Sequence, residues 1–432
     1  MSIKYNINSL TNEQRDKIND ELKIEIENSK YNLFAPKKEI YPYLINGDNI
    51  HLPFAYASTE LSMKRRERSE FPMMKIKFEG SLREEQEKIK QEAIKQMNVT
   101  GSVIISLYTG GGKTITSINL ACSIKLKTLV IVNKVVLINQ WEDSLKNFCP
   151  SAKICKLIPK AKFDEEADFF IINAMNVCKK PRGFFDKIGL VIVDELHQIM
   201  AESLSNALFY ISPRYLIGLS ATPYRTDGLD PLIYFYFGEF KIIRLLRREH
   251  TVYKVETGFS PKVELTETGK VNWNLLLNSQ ALNEERNELI IRIAKHFKDR
   301  NILIMSKRIE QGEYIYNRLL EEGESVTNLI GKKQEFDKEA RILVATVTKT
   351  GTGFDHPKMD CLILASDLES YFVQILGRVL RKPDIKPIVF DFVDDNPILE
   401  KHFRTRKSVY TNIGGKMIDF KKAFPIIMKN EI

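Results

Sequence analysis

Three shortages narrow this chain before any motif is read. Its five cysteines, Cys122, Cys149, Cys155, Cys178 and Cys361, include no C-x-x-C pair. Neither a zinc site nor a disulfide framework is therefore expected, and the thiols read as reduced and mostly buried in an intracellular protein. Long apolar runs are missing too: Lys and Asn interrupt even the richest stretch, Leu129–Trp141, so no membrane span is expected. Residues 1–19 never set two apolar side chains next to each other, and no signal-peptide core is expected there. Excess charge is scarce as well. A net +9 over 432 residues permits a polyanionic partner without demanding one. The basic clusters Lys64-Arg65-Arg66, Arg244–Arg248 and Lys401–Lys407 read singly as solvated faces or linkers.

What is present belongs to a soluble globular protein of two or three domains, 43% apolar and 28% charged. The organising stretch is Thr109-Gly110-Gly111-Gly112-Lys113-Thr114, set between the apolar run Val103–Leu107 and a helix-like run from Ile115. Consecutive glycines let several backbone N–H groups turn toward one anion, and the positive end of the following helix adds to the same spot. Lys113 supplies a full charge for the outer phosphates of a nucleotide, and the Thr114 hydroxyl can ligate magnesium. The strict phosphate-loop pattern wants glycine where Leu107 stands, so the strand-loop-helix setting carries the assignment.

Residues 1–78 read as a separate accessory module, with Thr11 and Gln14 spaced as a capping box at the start of a helix-compatible stretch, Leu10–Asn28. From Glu79 strand-length apolar runs recur at Val103–Leu107, Thr128–Val132, Phe169–Ile172, Leu190–Val193 and Tyr215–Leu219, with amphipathic stretches such as Leu137–Phe148 between them. A second series follows at Ile302–Met305, Arg341–Ala345, Cys361–Ala365 and Ile388–Phe392, with helices over Asn287–Phe297 and Gly312–Glu322. Buried strands alternating with helices predict an α/β chain with two tandem domains, 79–240 and 241–400, each a parallel sheet covered on both faces. A basic tail, 401–432, is expected to follow.

Ligands of parallel sheets sit beyond the carboxyl ends of strands, and useful residues cluster there. Leu190–Val193 runs straight into Asp194-Glu195-Leu196-His197. Beside a triphosphate, Asp194 would hold magnesium and Glu195 would orient and deprotonate the attacking water. His197 either relays contacts or caps the next helix. Ser220 and Thr222, in Ser220-Ala221-Thr222-Pro223, can hydrogen-bond the Asp194-Glu195 loop and sense the γ-phosphate. In the second series Thr346 opens a stretch running through Gly353 and Asp355 that is rich in phosphate-binding groups. Gln374, Arg378 and Arg381 fall at helical spacing on one face, and two guanidiniums on an apolar helix need anions, such as a γ-phosphate reached across a domain gap. A phosphate-loop NTPase unrelated to nucleic acid explains Lys113 and Glu195 but leaves the second series idle.

Leu82-Arg83-Glu84-Glu85-Gln86, the glycine loop, Asp194–His197, Ser220–Pro223, Gly351–Asp355 and Gln374–Arg381 stand in the order of superfamily 2 helicases, which this chain resembles over about Glu79–Lys382. It looks most like the group containing the xeroderma pigmentosum group B, UvsW and poxvirus transcript-release helicases. Asn133 with Gln140-Trp141, and Leu282-Asn283-Glu284-Glu285-Arg286-Asn287, favour the viral end of that group. The resemblance implies two RecA-like domains and an ATP- and magnesium-dependent motor on nucleic acid, DNA ahead of RNA. Arg83 and Gln86 would then contact adenine and Asp355 the ribose. Lys134, Asn173, Ser306, Lys307 and Thr346 would lie near the phosphodiester backbone, whose contacts carry no sequence information. Arg225-Thr226-Asp227 departs at Thr226 from the strand-opening motif of the xeroderma group, and Glu85 stands where an aromatic is common. Transcription or repair machinery as partner, a monomeric state, and a place in host cytoplasm, nucleus or virion are further implications.

Overall fold

The computed structural model describes residues 1–26, 38–108, 110–200, 206–221, 229–267, 269, 271–350, 356–368, 372–382 and 384–429. Thr109, Thr222, Gly353, Asp355 and the Arg225-Thr226-Asp227 segment lie outside the described residues. The chain divides into two compact units, one of Met1–Leu107 and Gly111–Arg244, the other from Leu245 onward with Tyr108 and Gly110 grouped with it.

In the first unit seven parallel strands lie in the order Lys241–Arg244, Ser102–Leu107, Tyr215–Ser220, Leu190–Val193, Thr128–Val132, Phe169–Asn173 and Ile154–Lys156. The central strands are apolar almost throughout because both faces are covered. Alternation decides which face each residue serves. Ile104, Leu129, Ile131 and Val191 join one hydrophobic cluster, whereas Val103, Val130, Val132 and Ile192 join another. The register pairs Val193 with Ile131 on one side and Gly218 on the other, so Val132, Val193 and Ser220 end their strands side by side.

Residues 1–78 are expected to stand apart, yet described side chains between Met1 and Met63 pack onto one of those faces, and Met74 joins the cluster on the other. Ser2–Asn6, Asn49–Pro53 and Leu44–Asn46 form a small antiparallel sheet. From it and its flanks Met1, Leu52, Phe54 and Tyr56 enter the same cluster as Ile104 and Leu129. The Ser2 N–H donates to the Ile211 carbonyl at 2.8 Å, and Tyr56 meets Phe235 edge-on at 5.7 Å. A sheet must bury both apolar faces, and on this one the segment shares the cover with the helices Leu196–Ile199 and Asp230–Phe237. Two of the basic clusters are tied down within this unit. Arg65 reaches the Met97, Asn98 and Val99 carbonyls at the end of the Glu84–Thr100 helix, and Arg244 pairs with Glu85 at 2.5 Å and Glu92 at 2.6 Å.

The second unit carries seven more parallel strands in the order Val326–Leu329, Ile342–Thr346, Ile302–Ser306, Cys361–Leu364, Ile388–Val393, His250–Glu256 and Gly415–Asp419. The expected basic tail is therefore no tail. Asn396 caps a helix over Pro397–Asn412, and Gly415–Asp419 pairs with His250–Glu256 as the edge of the sheet. Leu399, Phe403, Arg406 and Tyr410 form the buried stripe of that helix, which the charges on its other side obscure in the sequence. Arg406 is the centre of a buried ionic group. Its guanidinium donates to both Asp391 oxygens at 2.8 and 2.9 Å and to Asp367 at 2.7 Å, and the Tyr410 hydroxyl also donates to Asp391 at 2.9 Å. Replacing Arg406 with Met would take the cation from the buried Asp391 carboxylate and leave Asp367 with His402 alone. Urea unfolding should show a loss of about 3–5 kcal/mol, and an unchanged midpoint would refute this account.

Among the described residues no helix is long and apolar enough to cross a membrane. Cys122, Cys149 and Cys361 are buried free thiols, Cys155 is half-buried and Cys178 exposed.

Candidate active site

The glycine loop leaves the strand Ser102–Leu107 and enters the helix Lys113–Ile124, as the sequence spacing predicts. Gly110 and Gly112 have φ of +85° and +89°, where side chains are strained. At Gly112 a Cβ would also collide with the Gln86 amide. Arg83 and Gln86, at the start of the Glu84–Thr100 helix, both donate to the Gly111 carbonyl, at 3.2 and 3.3 Å. Gln86 in turn accepts from the Arg83 N–H at 2.9 Å. These two side chains thus hold the loop from behind. The Lys113 ammonium donates to the Leu107 carbonyl at 3.1 Å, at the position where the strict pattern has glycine. Thr114 sits half-buried one residue into the helix.

Asp194 and Glu195 emerge at the end of the neighbouring strand. Asp194 is 8% exposed and accepts from the Trp141 indole N–H at 2.9 Å through one oxygen and from the Glu195 N–H at 2.9 Å through the other. Burial first, then the Glu195 charge, push its carboxyl up to about 6, against the pull of the Trp141 hydrogen bond and the Lys113 charge. Glu195 turns the chain at φ 49°, ψ 50°, a left-handed conformation that is uncommon for a residue with a side chain and recurs at functional sites. Its carboxylate lies 3.6 Å from His197 Nδ1. Lys134, at the cap of the Val135–Phe148 helix, faces the same charge: burial lowers its ammonium while Glu195 draws it back up.

A line of hydrogen bonds crosses the strand ends. His197 Nδ1 and Ser220 Oγ are 2.8 Å apart, Gln198 Nε2 and His197 Nε2 are 3.2 Å apart, and Asn133 Nδ2 donates to Gln198 Oε1. Three strands are thereby linked at their carboxyl ends. Asn173, at the end of Phe169–Asn173, uses its side chain to cap the Ala174–Val177 turn through the Met175 N–H at 3.0 Å.

In the second unit Ser306 and Thr346 end adjacent strands and are buried, with Lys307 half-buried beside Ser306. Gln374 and Arg378 lie buried on the helix Phe372–Val379. That helix stops two residues short of Arg381, so the expected common helical face is not formed. Pro383 follows closely in the sequence, and proline disfavours helical backbone in the residue before it.

The donor set around Asp194 suits a divalent cation. Each of its oxygens accepts a single N–H and keeps lone pairs to spare, and two adjacent carboxylates in a buried setting call for countercharge.

Residues 79–225 match the family described as type III restriction enzyme, res subunit. Protein 161L of Invertebrate iridescent virus 6, named as a helicase, is 42% identical over 98% of this chain and 100% of its own length. The chain belongs to the superfamily 2 helicases. As such it is a nucleic-acid-dependent ATPase, and ATP and nucleic acid are its ligands. The helicase is also 25% identical, over 75% of this chain and 83% of the other, to the DNA 3'-5' translocase XPB2 of Sulfurisphaera tokodaii. Its tandem RecA-like α/β architecture is similar to that of S. cerevisiae Dbp5 bound to RNA and ADP BeF3, with a TM-score of 0.55 at 13% identity over 79% of this chain and 93% of that one.

Sequence reading singled out the Gln140-Trp141 pair without a role. The fold turns the Trp141 ring into the core, where its N–H must find an acceptor, and that acceptor is Asp194.

Proposed function

We propose that this helicase is a DNA motor that couples ATP hydrolysis to movement along the phosphodiester backbone. Lys113 and the backbone N–H groups of Gly110, Gly111 and Gly112 bind the outer phosphates, with Thr109 in the same loop. Thr114 and Asp194 would hold a magnesium ion, which when bound would offset the negative charge of the phosphates. Glu195 orients water and accepts its proton. His197 and Ser220, with Thr222, carry the state of that site to neighbouring strand ends. Arg83 and Gln86 flank the adenine, and Gly353, Asp355 and Gln374 complete the nucleotide contacts. Arg378 and Arg381 act as arginine fingers, each guanidinium offsetting negative charge on the γ-phosphate. Lys134, Asn173, Ser306, Lys307 and Thr346 track the nucleic-acid backbone.

The observation that best supports the reading is the Asp194-Glu195 pair beside Lys134, one carboxyl buried with its pKa pushed up to about 6 and the other carried on a strained turn. Backbone contacts suit a translocating motor, because they can be remade at every step. ATP hydrolysis should rise several-fold with single-stranded, duplex or forked DNA, less with RNA, and the apparent affinity should fall steeply with salt. Stronger stimulation by RNA would make the chain an RNA motor. A flat salt response would refute the backbone-tracking account.

A further inference from the structure

The Leu282–Asn287 motif has no part in the chemistry above, yet two of its side chains are among the most deeply buried polar groups of the second unit. Arg286 and Asn287 are 2% and 1% exposed, in the first turn of the helix Glu284–His296. Arg286 donates to Asp394, just past the strand Ile388–Val393, at 2.8 Å and to the Ala365 carbonyl, just past Cys361–Leu364, at 2.5 Å. Asn287 accepts from the Gln311 amide at 3.0 Å, and that amide also donates to Ala365 at 3.2 Å. The Ser366 hydroxyl donates to Gln311 Oε1 at 2.7 Å and accepts the Lys307 N–H at 3.0 Å. An unbroken line of hydrogen bonds therefore runs across three strand ends and finishes on the backbone of Lys307.

A second feature presses on the same turn. A Cβ at Gly312 would come within 3.0 Å of Ser306 Oγ and 2.8 Å of Ile330, so the helix Ile309–Glu321 seats directly against Ser306. Apolar side chains would fill this space at lower cost than buried polar ones. What the polar groups add is geometry, since a shift at any link leaves a buried donor or acceptor without its partner.

We propose that Gln311 and Ser366, braced by Arg286 and Asn287, are positioning residues that set the Ser306–Lys307 turn for its grip on the nucleic-acid backbone. The proposal rests on the reading of that turn as a backbone contact. It is tested with the full chain by ATPase titration against DNA of fixed length at several salt concentrations. Ser366→Ala and Gln311→Leu should each raise the DNA concentration for half-maximal stimulation roughly tenfold. Unstimulated turnover and turnover at saturating DNA should stay as in the parent. The slope of log affinity on log salt should fall by about one, the signature of a lost phosphate contact. Ser366→Thr, which keeps the hydroxyl, should restore the parent behaviour. Lys307→Ala should give the same shift, with no further loss when combined with Ser366→Ala. If Lys307→Ala weakens DNA binding while Ser366→Ala and Gln311→Leu only lower the melting temperature, the positioning role is overturned and the backbone contact stands. If Lys307→Ala has no effect either, both fall.

Discussion

Glu195→Gln should slow ATP turnover by roughly 10²–10⁴-fold, the usual worth of a positioned general base, while leaving nucleotide and DNA binding intact. The substitution is nearly isosteric and removes only charge and basicity. Asp194 keeps both of its hydrogen bonds, to the Trp141 indole and to the backbone of residue 195. It also loses the carboxylate whose charge is the second cause of its raised pKa, so it should ionise more readily and hold a cation at least as well. The expected state is therefore a trapped complex: ATP bound, DNA bound, no phosphate released. Single-turnover phosphate release alongside equilibrium binding checks it. Near-normal turnover would remove Glu195 from the chemistry, and loss of ATP binding would make its role structural.

Asp194→Asn should abolish activity and stabilise the protein at the same time. Loss of the cation's charge stabilisation at the phosphates should cost roughly 10³-fold in turnover. The stability change follows from the raised pKa. Folding moves the carboxyl from an ordinary 3.8 to about 6, so the folded chain holds that proton more tightly than the unfolded one. As pH falls through about 6 toward 4 the folded state gains stability from protonation. Above 6 the full cost of the buried charge is present, roughly 3 kcal/mol. Asparagine escapes that cost and keeps an acceptor for Trp141 but turns its NH2 toward the Glu195 N–H, so the melting temperature of metal-free protein at pH 7.5 should rise by roughly 2–5 °C. The gain over the parent should shrink as the pH is lowered and vanish near pH 4. A gain that is independent of pH would mean that Asp194 is not the buried charge described here.

Much of the helicase was legible as one-dimensional pattern. Strands buried on both faces have few polar positions, so Val103–Leu107, Thr128–Val132, Leu190–Val193 and Cys361–Ala365 stand out in the sequence, and each breaks abruptly into a polar motif. Edge strands are less apolar. Ile154–Lys156, Lys241–Arg244 and Gly415–Asp419 escape such a reading for that reason. Arg406 was hidden for a different one. A basic residue amid Lys401–Lys407 looks like surface until a fold brings Asp367 and Asp391 to it from 39 and 15 residues away.

Local pattern alone settled the strand-loop-helix cradle at Gly112 and Lys113 and the chemical types at the strand ends, because backbone freedom, helix polarity and side-chain chemistry act over a few residues. Only tertiary structure decided that side chains between Met1 and Met63 cover a face of the first sheet, that Trp141 grips Asp194 across 53 residues, and that Arg286 and Ser366 converge behind Lys307. Partners so far apart in the chain leave no periodicity to read. Their hydrogen bonds become worth making only when burial has removed the water that would otherwise satisfy them.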